Sequence, residues 1–429
     1  MRRACAGLLL AGALMASATG CPLRSRPMPE PSSAPPSSHS AMPGRPTTAS
    51  TGLPAYTGPP AGAPPSTGPL TRLRAAVDLT PAIEGAFWRA DTAVAAPDGG
   101  AYVVLSSEEP GRPQRLATVS RTGDGFAVTG SVAVPRVDNV TAAYLLPDAT
   151  VAIAGRLASS DLGLEVVDPR TGAARAVPVV PHERGTTSSD LRTALSADGR
   201  TLYLVATVTI GRRVSETLSA VDPLGGRVLA QRGLVDDVSL VSVSPMGRQL
   251  AGVVARPGGG ATVVFDASPT DVPQQRIPTL LRYDASLTIL EEPVRVTSLA
   301  ERAETQSVTV GVDGTVFLVV DVPDGAWILA VPDHGGAGPV LVQLADRIFD
   351  YALAVEPAQQ WALLPSASGA RAVDLRTGEI RGSLDVGCAS GPDIRAIAPA
   401  WQDGGALVVG QCDVGSRWVE MLWFAGPAS

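Results

Sequence analysis

From Leu70 onward, short apolar runs alternate with tight polar turns. The stretch Leu195–Thr207, LSADGRTLYLVAT, shows the pattern: a short apolar strand, a Ser-Ala-Asp-Gly-Arg turn, and a longer apolar strand. Asp-Gly between apolar runs is the strongest short-range hairpin signal, because both residues tolerate the positive φ that a tight turn needs. Seven copies align on this turn, beginning at Thr92, Thr141, Arg192, Leu240, Ser307, Tyr351 and Arg395. A second turn lies between them. It is clearest in VDPRTG at Val167, VDPLGG at Val221 and VDLRTG at Val373, and looser in VSRTGDG at Val119, FDASPTD at Phe265 and VPDHGG at Val331. Each repeat therefore predicts four strands, a to d, with the Asp-Gly turn joining a to b and the second turn joining c to d. Runs such as AYVVL, LYLVA, VFLVV and ALVVG carry no polar face, which predicts sheets buried on both sides. Four short strands per repeat of roughly 50 residues predict stacked propeller blades rather than a row of sandwiches.

Three irregularities refine this reading. After Leu407-Val408-Val409 comes a strand c at Trp418–Phe424, and the sequence stops at Ser429 with no room for strand d. The run at 71–79 has no blade of its own, so it is expected to supply the outer strand of blade seven and close the ring, sparing an open edge. Tyr283 to Ala303 reads as an insertion between blades four and five, either an added hairpin or a drifted connection. Gly258-Gly259-Gly260 reads as a b–c turn, and is no phosphate loop because no helix follows it.

The pairing of SADGRTLYL with VDPRTG resembles the YVTN-type, WD40-like repeat of bacterial seven-bladed propellers, across residues 70–429. The resemblance implies an all-β fold, a seven-bladed β-propeller of four-stranded blades, and is nearly silent on activity. No Trp-Asp dipeptide occurs, so this is not a true WD40 chain.

The N-terminus reads differently. Arg2 and Arg3 precede an apolar run, Ala4 to Ser17, too short to span a bilayer, which is the form of an export signal. Ala18-Thr19-Gly20-Cys21 then resembles the lipobox of bacterial lipoproteins, although that family more often has Leu where Ala18 stands. The resemblance implies removal of residues 1–20, a diacylglyceryl thioether on Cys21, and residence on the outer face of a cell membrane. Residues 21–69 are dominated by Pro, Ser, Thr, Gly and Ala and have almost no large apolar side chains, too few to bury a core, so a disordered tether is expected.

Composition narrows the partners. The net charge is −7 and no basic run is present, which argues against nucleic acid. The chain has no lysine, so arginine carries all side-chain positive charge other than histidine. No cofactor motif stands out, and a monomer is expected. Of four cysteines, Cys5 leaves with the signal and Cys21 carries the lipid, which leaves Cys388 and Cys412 in an exported domain. Cys388 falls in the d–a loop leading into blade seven and Cys412 in its b–c loop. These loops share one face beside neighbouring strands about 4.8 Å apart, so a disulfide is expected.

Strand order puts the a–b and c–d turns on one face and the longer d–a and b–c loops on the other, where function is expected. Most a strands are preceded by an acidic residue on that second face: Asp91, Asp138, Asp190, Asp237, Glu304, Asp350 and Asp393. Around a channel mouth these could bind a cation or basic ligand. The structural reading, which the residues favour, is that each caps a loop by accepting backbone N–H groups, with Arg89, Arg136, Arg192 and Arg395 as neutralising neighbours. His182, Glu183 and Arg184 form the best polar cluster for acid–base work, and His334 falls on the opposite face, so the two histidines cannot share a metal. Trp88 beside Glu84 and Arg89 could contact a ligand or pack in the core. The sequence thus points to a membrane-anchored extracytoplasmic lipoprotein whose propeller binds a protein, peptide or glycan. The alternative is a lactonase- or lyase-like hydrolase with its site in the central funnel. A quinone-dependent dehydrogenase lacks its repeating Trp motif.

Overall fold

The computed structural model describes residues 68–83, 88–107, 109, 111–123, 125–234, 248–268, 276–296, 303–322, 325–333, 340–344, 352–356, 358–400, 405–414 and 417–427. Cys21, the export signal, nearly all of the expected tether, Asp237, Asp350 and His334 lie outside these residues.

Strand β1 (Leu70–Asp78) comes first and is followed by one 3-10 turn at Thr80–Ala82. Blade one is β2 (Trp88–Ala95), β3 (Ala101–Ser107), β4 (Gln114–Thr122) and β5 (Gly125–Val134). Blade two is β6 (Val137–Leu145), β7 (Val151–Leu157), β8 (Leu162–Val167) and β9 (Ala174–Val180). Blade three is β10 (Thr186–Leu195), β11 (Leu202–Ile210), β12 (Arg213–Asp222) and β13 (Arg227–Gly233). Blade four is β14 (Arg248–Ala255), β15 (Ala261–Ala267), β16 (Ile277–Tyr283) and β17 (Val294–Arg295). Blade five is β18 (Glu304–Val310), β19 (Val316–Val322), β20 (Gly325–Val331) and β21 (Val340–Leu344). Blade six is β22 (Ala354–Val355), β23 (Trp361–Ser366), β24 (Gly369–Asp374) and β25 (Ile380–Asp385). Blade seven is β26 (Asp393–Ala400), β27 (Gly405–Val414) and β28 (Arg417–Pro427), with β1 as its outer strand.

All pairings within the sheets are antiparallel. The first strands β2, β6, β10, β14, β18, β22 and β26 pack one beside the next, and β26 packs beside β2, so the seven sheets form a closed ring around an axis. The closure strand behaves as expected: β1 runs against β28 from Leu70 opposite Pro427 to Asp78 opposite Met421. The Leu79 N–H extends the pairing by donating to the Glu420 carbonyl at 2.9 Å.

The core is a ring of layers rather than a centre. Seven buried apolar clusters lie between consecutive blades, one for each interface. Alternation on a strand explains why the apolar runs are unbroken. Ala101, Val103 and Leu105 of β3 face blade seven, and Tyr102 and Val104 face blade two. Each fully buried Val or Leu contributes about 1.5–3 kcal/mol, so every inner strand stabilises two interfaces at once.

Blade four differs from the sequence reading. Its inner strand is β14, not the run at 240–245, and the turn joining a to b is Arg256-Pro257-Gly258-Gly259-Gly260. The hydrogen bonds decide this. In blade one the Ala96 N–H donates to the Gly100 carbonyl at 3.0 Å and the Gly99 N–H to the Ala96 carbonyl at 3.1 Å; Arg256, Gly259 and Gly260 repeat the pattern at 3.0 and 3.0 Å. A Cβ on Gly260 would fall 2.1 Å from the Tyr283 carbonyl, so only glycine fits there. The Gly258–Gly260 turn is therefore a–b, FDASPTD joins b to c, and Tyr283 to Ala303 contains this blade's own c–d turn and outer strand rather than an insertion. The extra chain lies between β13 and β14, at residues outside the description.

Candidate functional site

The d–a and b–c loops share one end of the ring, and the channel mouth opens among the first residues of the inner strands. A cavity of about 620 Å³ there is lined by Arg192, Gln249, Glu304, Gln306, Ser307 and Arg395, among others.

Three of the five expected acidic residues that are described are accompanied by arginine. Asp91, on β2, accepts from Arg89 Nε at 2.8 Å and from the Ser106 hydroxyl. Asp190, on β10, accepts from Arg192 Nη1 at 2.7 Å and from the Leu191 N–H at 2.8 Å. Asp393, on β26, accepts from Arg395 Nε at 3.1 Å. Each pair is two residues apart, which puts both side chains on one side of a strand. Asp138 and Glu304 are exposed, and the Asp138 carbonyl accepts from Gln114 Nε2 at 3.1 Å, linking blades one and two. Among the described residues no three His, Cys, Asp or Glu side chains converge as a metal site would require.

His182, Glu183 and Arg184 are exposed on the loop between β9 and β10. The His182 backbone N–H donates to Asp161 Oδ1 at 2.8 Å, and Glu183 uses its carbonyl to accept from the Thr186 hydroxyl at 2.7 Å. The trio does not line the channel cavity. Trp88 is 8% exposed and packs in the core between blades seven and one.

The expected disulfide is present. Cys388 and Cys412 are bonded with their Cα atoms 5.5 Å apart, the spacing such a bridge requires. The same turn adds a hydrogen bond from the Ser390 hydroxyl to Asp413 Oδ2 at 2.8 Å. Together they fasten the tip end of the long β27–β28 hairpin.

A set of buried carboxylates went unnoticed in the sequence. Glu165 Oε2 accepts the Arg136 N–H at 2.9 Å. Asp266 accepts the Thr305 N–H at 2.7 Å and hydroxyl at 2.6 Å, tying blade four to blade five. Glu420 Oε2 accepts the Ala90 N–H at 2.8 Å and Arg395 Nη1 at 3.0 Å, tying blade seven to blade one. Burial pushes all three carboxyls up from their ordinary range, against the pull of these donors, and Asp266 reaches about 6. The available signal was a lone acid within or beside an apolar run, as in LGLEVV and VVFDA.

Trp418 was also missed. It stands 56% exposed near the tip of the β27–β28 hairpin, whereas Trp88, Trp361 and Trp423 are 8%, 3% and 0% exposed.

No family model matches this chain, and no curated protein matches it. Solved structures do. Hydrazine synthase of Kuenenia stuttgartiensis is 15% identical over 76% of this chain and 94% of that one, with a TM-score of 0.48. The Dos1 propeller is 12% identical over 87% and 96%, with a TM-score of 0.46. A puromycin-hydrolysing peptidase of Mycobacterium tuberculosis is 13% identical over 86% of this chain and 56% of its own length, with a TM-score of 0.49.

Proposed function

We propose that this chain is a lipid-anchored extracytoplasmic binding module, held by Cys21, whose loop-bearing face takes a protein, peptide or glycan partner. The observation that carries the reading is the character of that face. Charges of both signs ring the channel mouth as Arg–Asp pairs, and the histidine cluster stands away from the cavity. Such a surface supports recognition more than proton transfer, which needs a base and an acid converging on one atom.

Two experiments test the reading. Cys21→Ala should move the protein from the membrane fraction to the medium; retention in the membrane refutes the anchor. Affinity capture from envelope extracts should lose its specific partner with Arg192→Glu plus Glu304→Arg on the loop face, and keep it with Arg170→Glu on the turn face. Loss with the turn-face variant alone refutes the assignment of the face.

A further inference from the structure

One face of blade seven changes character along its length. Cross-strand partners share a face, as do residues two apart, so Leu407, Val409, Gln411 and Asp413 of β27 align with Phe424, Leu422, Glu420 and Trp418 of β28. Leu407, Val409, Leu422 and Phe424 are buried against blade one. Gln411 and Glu420 follow, and Asp413 and Trp418 lie beyond the flanking strands. β26 begins opposite Gln411, and β1 ends opposite Met421. The indole therefore projects past the sheet, 56% exposed, on a hairpin held by the Cys388–Cys412 bridge and the Ser390–Asp413 bond.

Beside it lies a row of planar polar groups. Arg395 donates to Asp393 at 3.1 Å, to Gln411 Oε1 at 3.3 Å and to Glu420 Oε2 at 3.0 Å. Glu420 is 4% exposed, and its other oxygen, Oε1, has no hydrogen-bond partner among the described residues. An acceptor buried in this way costs free energy unless something donates to it.

The geometry points to a saccharide-binding site on this hairpin, with Trp418 as the stacking platform and the Arg395–Gln411–Asp393 row reading hydroxyl groups. The inference rests on the binding role of the loop face. A pyranose has one apolar C–H face the size of an indole, and the negative π face attracts polarised C–H groups. Its rim of hydroxyls both donates and accepts, which suits neighbouring carboxylate, amide and guanidinium groups. A protein partner would want a wider apolar centre, about 800 Å² on each side, but Trp418 stands among Asp393, Arg395, Gln411 and Asp413. On this face Asp393 and Asp413 outnumber Arg395, so an acidic sugar or a phosphate is disfavoured and a neutral or N-acetylated saccharide fits.

The test is titration of the full chain with chitotetraose, cellotetraose, maltotetraose and mannotetraose, followed by tryptophan fluorescence and calorimetry. At least one should bind saturably and shift the fluorescence. Trp418→Ala should weaken that binding tenfold or more and Trp418→Phe by less, with unchanged melting temperatures because the side chain is exposed. Absence of binding by all four sugars overturns the inference, as does equal affinity in Trp418→Ala. If the Arg192→Glu plus Glu304→Arg variant loses a captured partner while Trp418→Ala keeps it and no sugar binds, the saccharide site is refuted and the loop-face reading stands.

Discussion

Ala149 has φ 65°, in the left-handed region where a Cβ crowds the backbone. It occupies the turn position that Gly99, Gly199 and Gly314 fill in other blades, with φ of 80°, 70° and 87°. The preceding aspartate makes the turn in each case: Asp148 Oδ1 accepts the Thr150 N–H at 3.0 Å, as Asp198 does for Arg200 at 3.0 Å. Ala149→Gly should therefore raise stability by roughly 0.5–1 kcal/mol, the relieved strain less the added unfolded-state entropy. Gly199→Ala should lower it by more than ~1 kcal/mol, because the new Cβ would also meet Pro147 at 2.8 Å. Urea midpoints check both, and a loss with Ala149→Gly refutes the strain argument.

Asp266 sets a second expectation at this scale. Its carboxyl titrates at about 6 when folded, against 3.8 for the ordinary group, because burial disfavours the charge. Between those values the folded chain holds a proton that the unfolded chain has released. Its contribution is thus full below pH 3.8 and is lost as pH rises through 6, by roughly 3 kcal/mol at neutrality. Asp266→Asn keeps an acceptor for the Thr305 N–H and removes the ionisation. The variant should lose less stability than wild type between pH 4 and 7, and parallel pH profiles would show that Asp266 does not titrate in this range.

Among elements, β1 and the β27–β28 hairpin matter most. β1 and the residue after it bury Leu70, Val77 and Leu79, all 4% exposed or less, and cover the edge of β28. Deleting 70–79 should cost roughly 6 kcal/mol from apolar burial alone, a large part of a domain's net stability. Deleting 22–60 should cost little. Similar melting temperatures for the two deletions would contradict the closure. The Cys388–Cys412 bridge closes a loop with a sequence separation of 24. Replacing both cysteines with Ala should cost about 3 kcal/mol by chain entropy. A melting temperature unchanged by the double substitution, or by reductant in wild type, would contradict that.

For the whole molecule, stability is distributed around seven interfaces, most of them carrying polar ties besides the apolar layer. Tyr144 OH donates to the Thr193 carbonyl at 2.7 Å between blades two and three, and Tyr203 OH accepts the Gly260 N–H at 2.7 Å between three and four. Arg256 donates twice to Asp333, at 2.8 and 3.0 Å, between four and five. The side chains of that last pair are only 10% and 7% exposed, so Asp333→Ala should cost about 3–5 kcal/mol by stranding the guanidinium. A cost under 1 kcal/mol in denaturant unfolding would mean that the guanidinium finds another acceptor.

The seven four-stranded units, the closing role of β1 and the pairing of Cys388 with Cys412 were legible in the sequence, because each depends on local signals. Asp-Gly turns, unbroken apolar runs and cysteine elimination are read within one hairpin or by counting. Only the tertiary structure decided the register of blade four. SPMGRQ and RPGGG are both acceptable turns, and what separates them is which flanking strand lies beside β10 and β18 on the axis. The same holds for the polar groups. Whether Asp190 faces Arg192, whether Glu420 is buried against Ala90, and whether Trp418 packs or projects depend on where the neighbouring strands and blades end. Chain-local chemistry specifies the strands and turns; cross-blade placement determines which charges are paired, which are buried and which side chains remain exposed to a ligand.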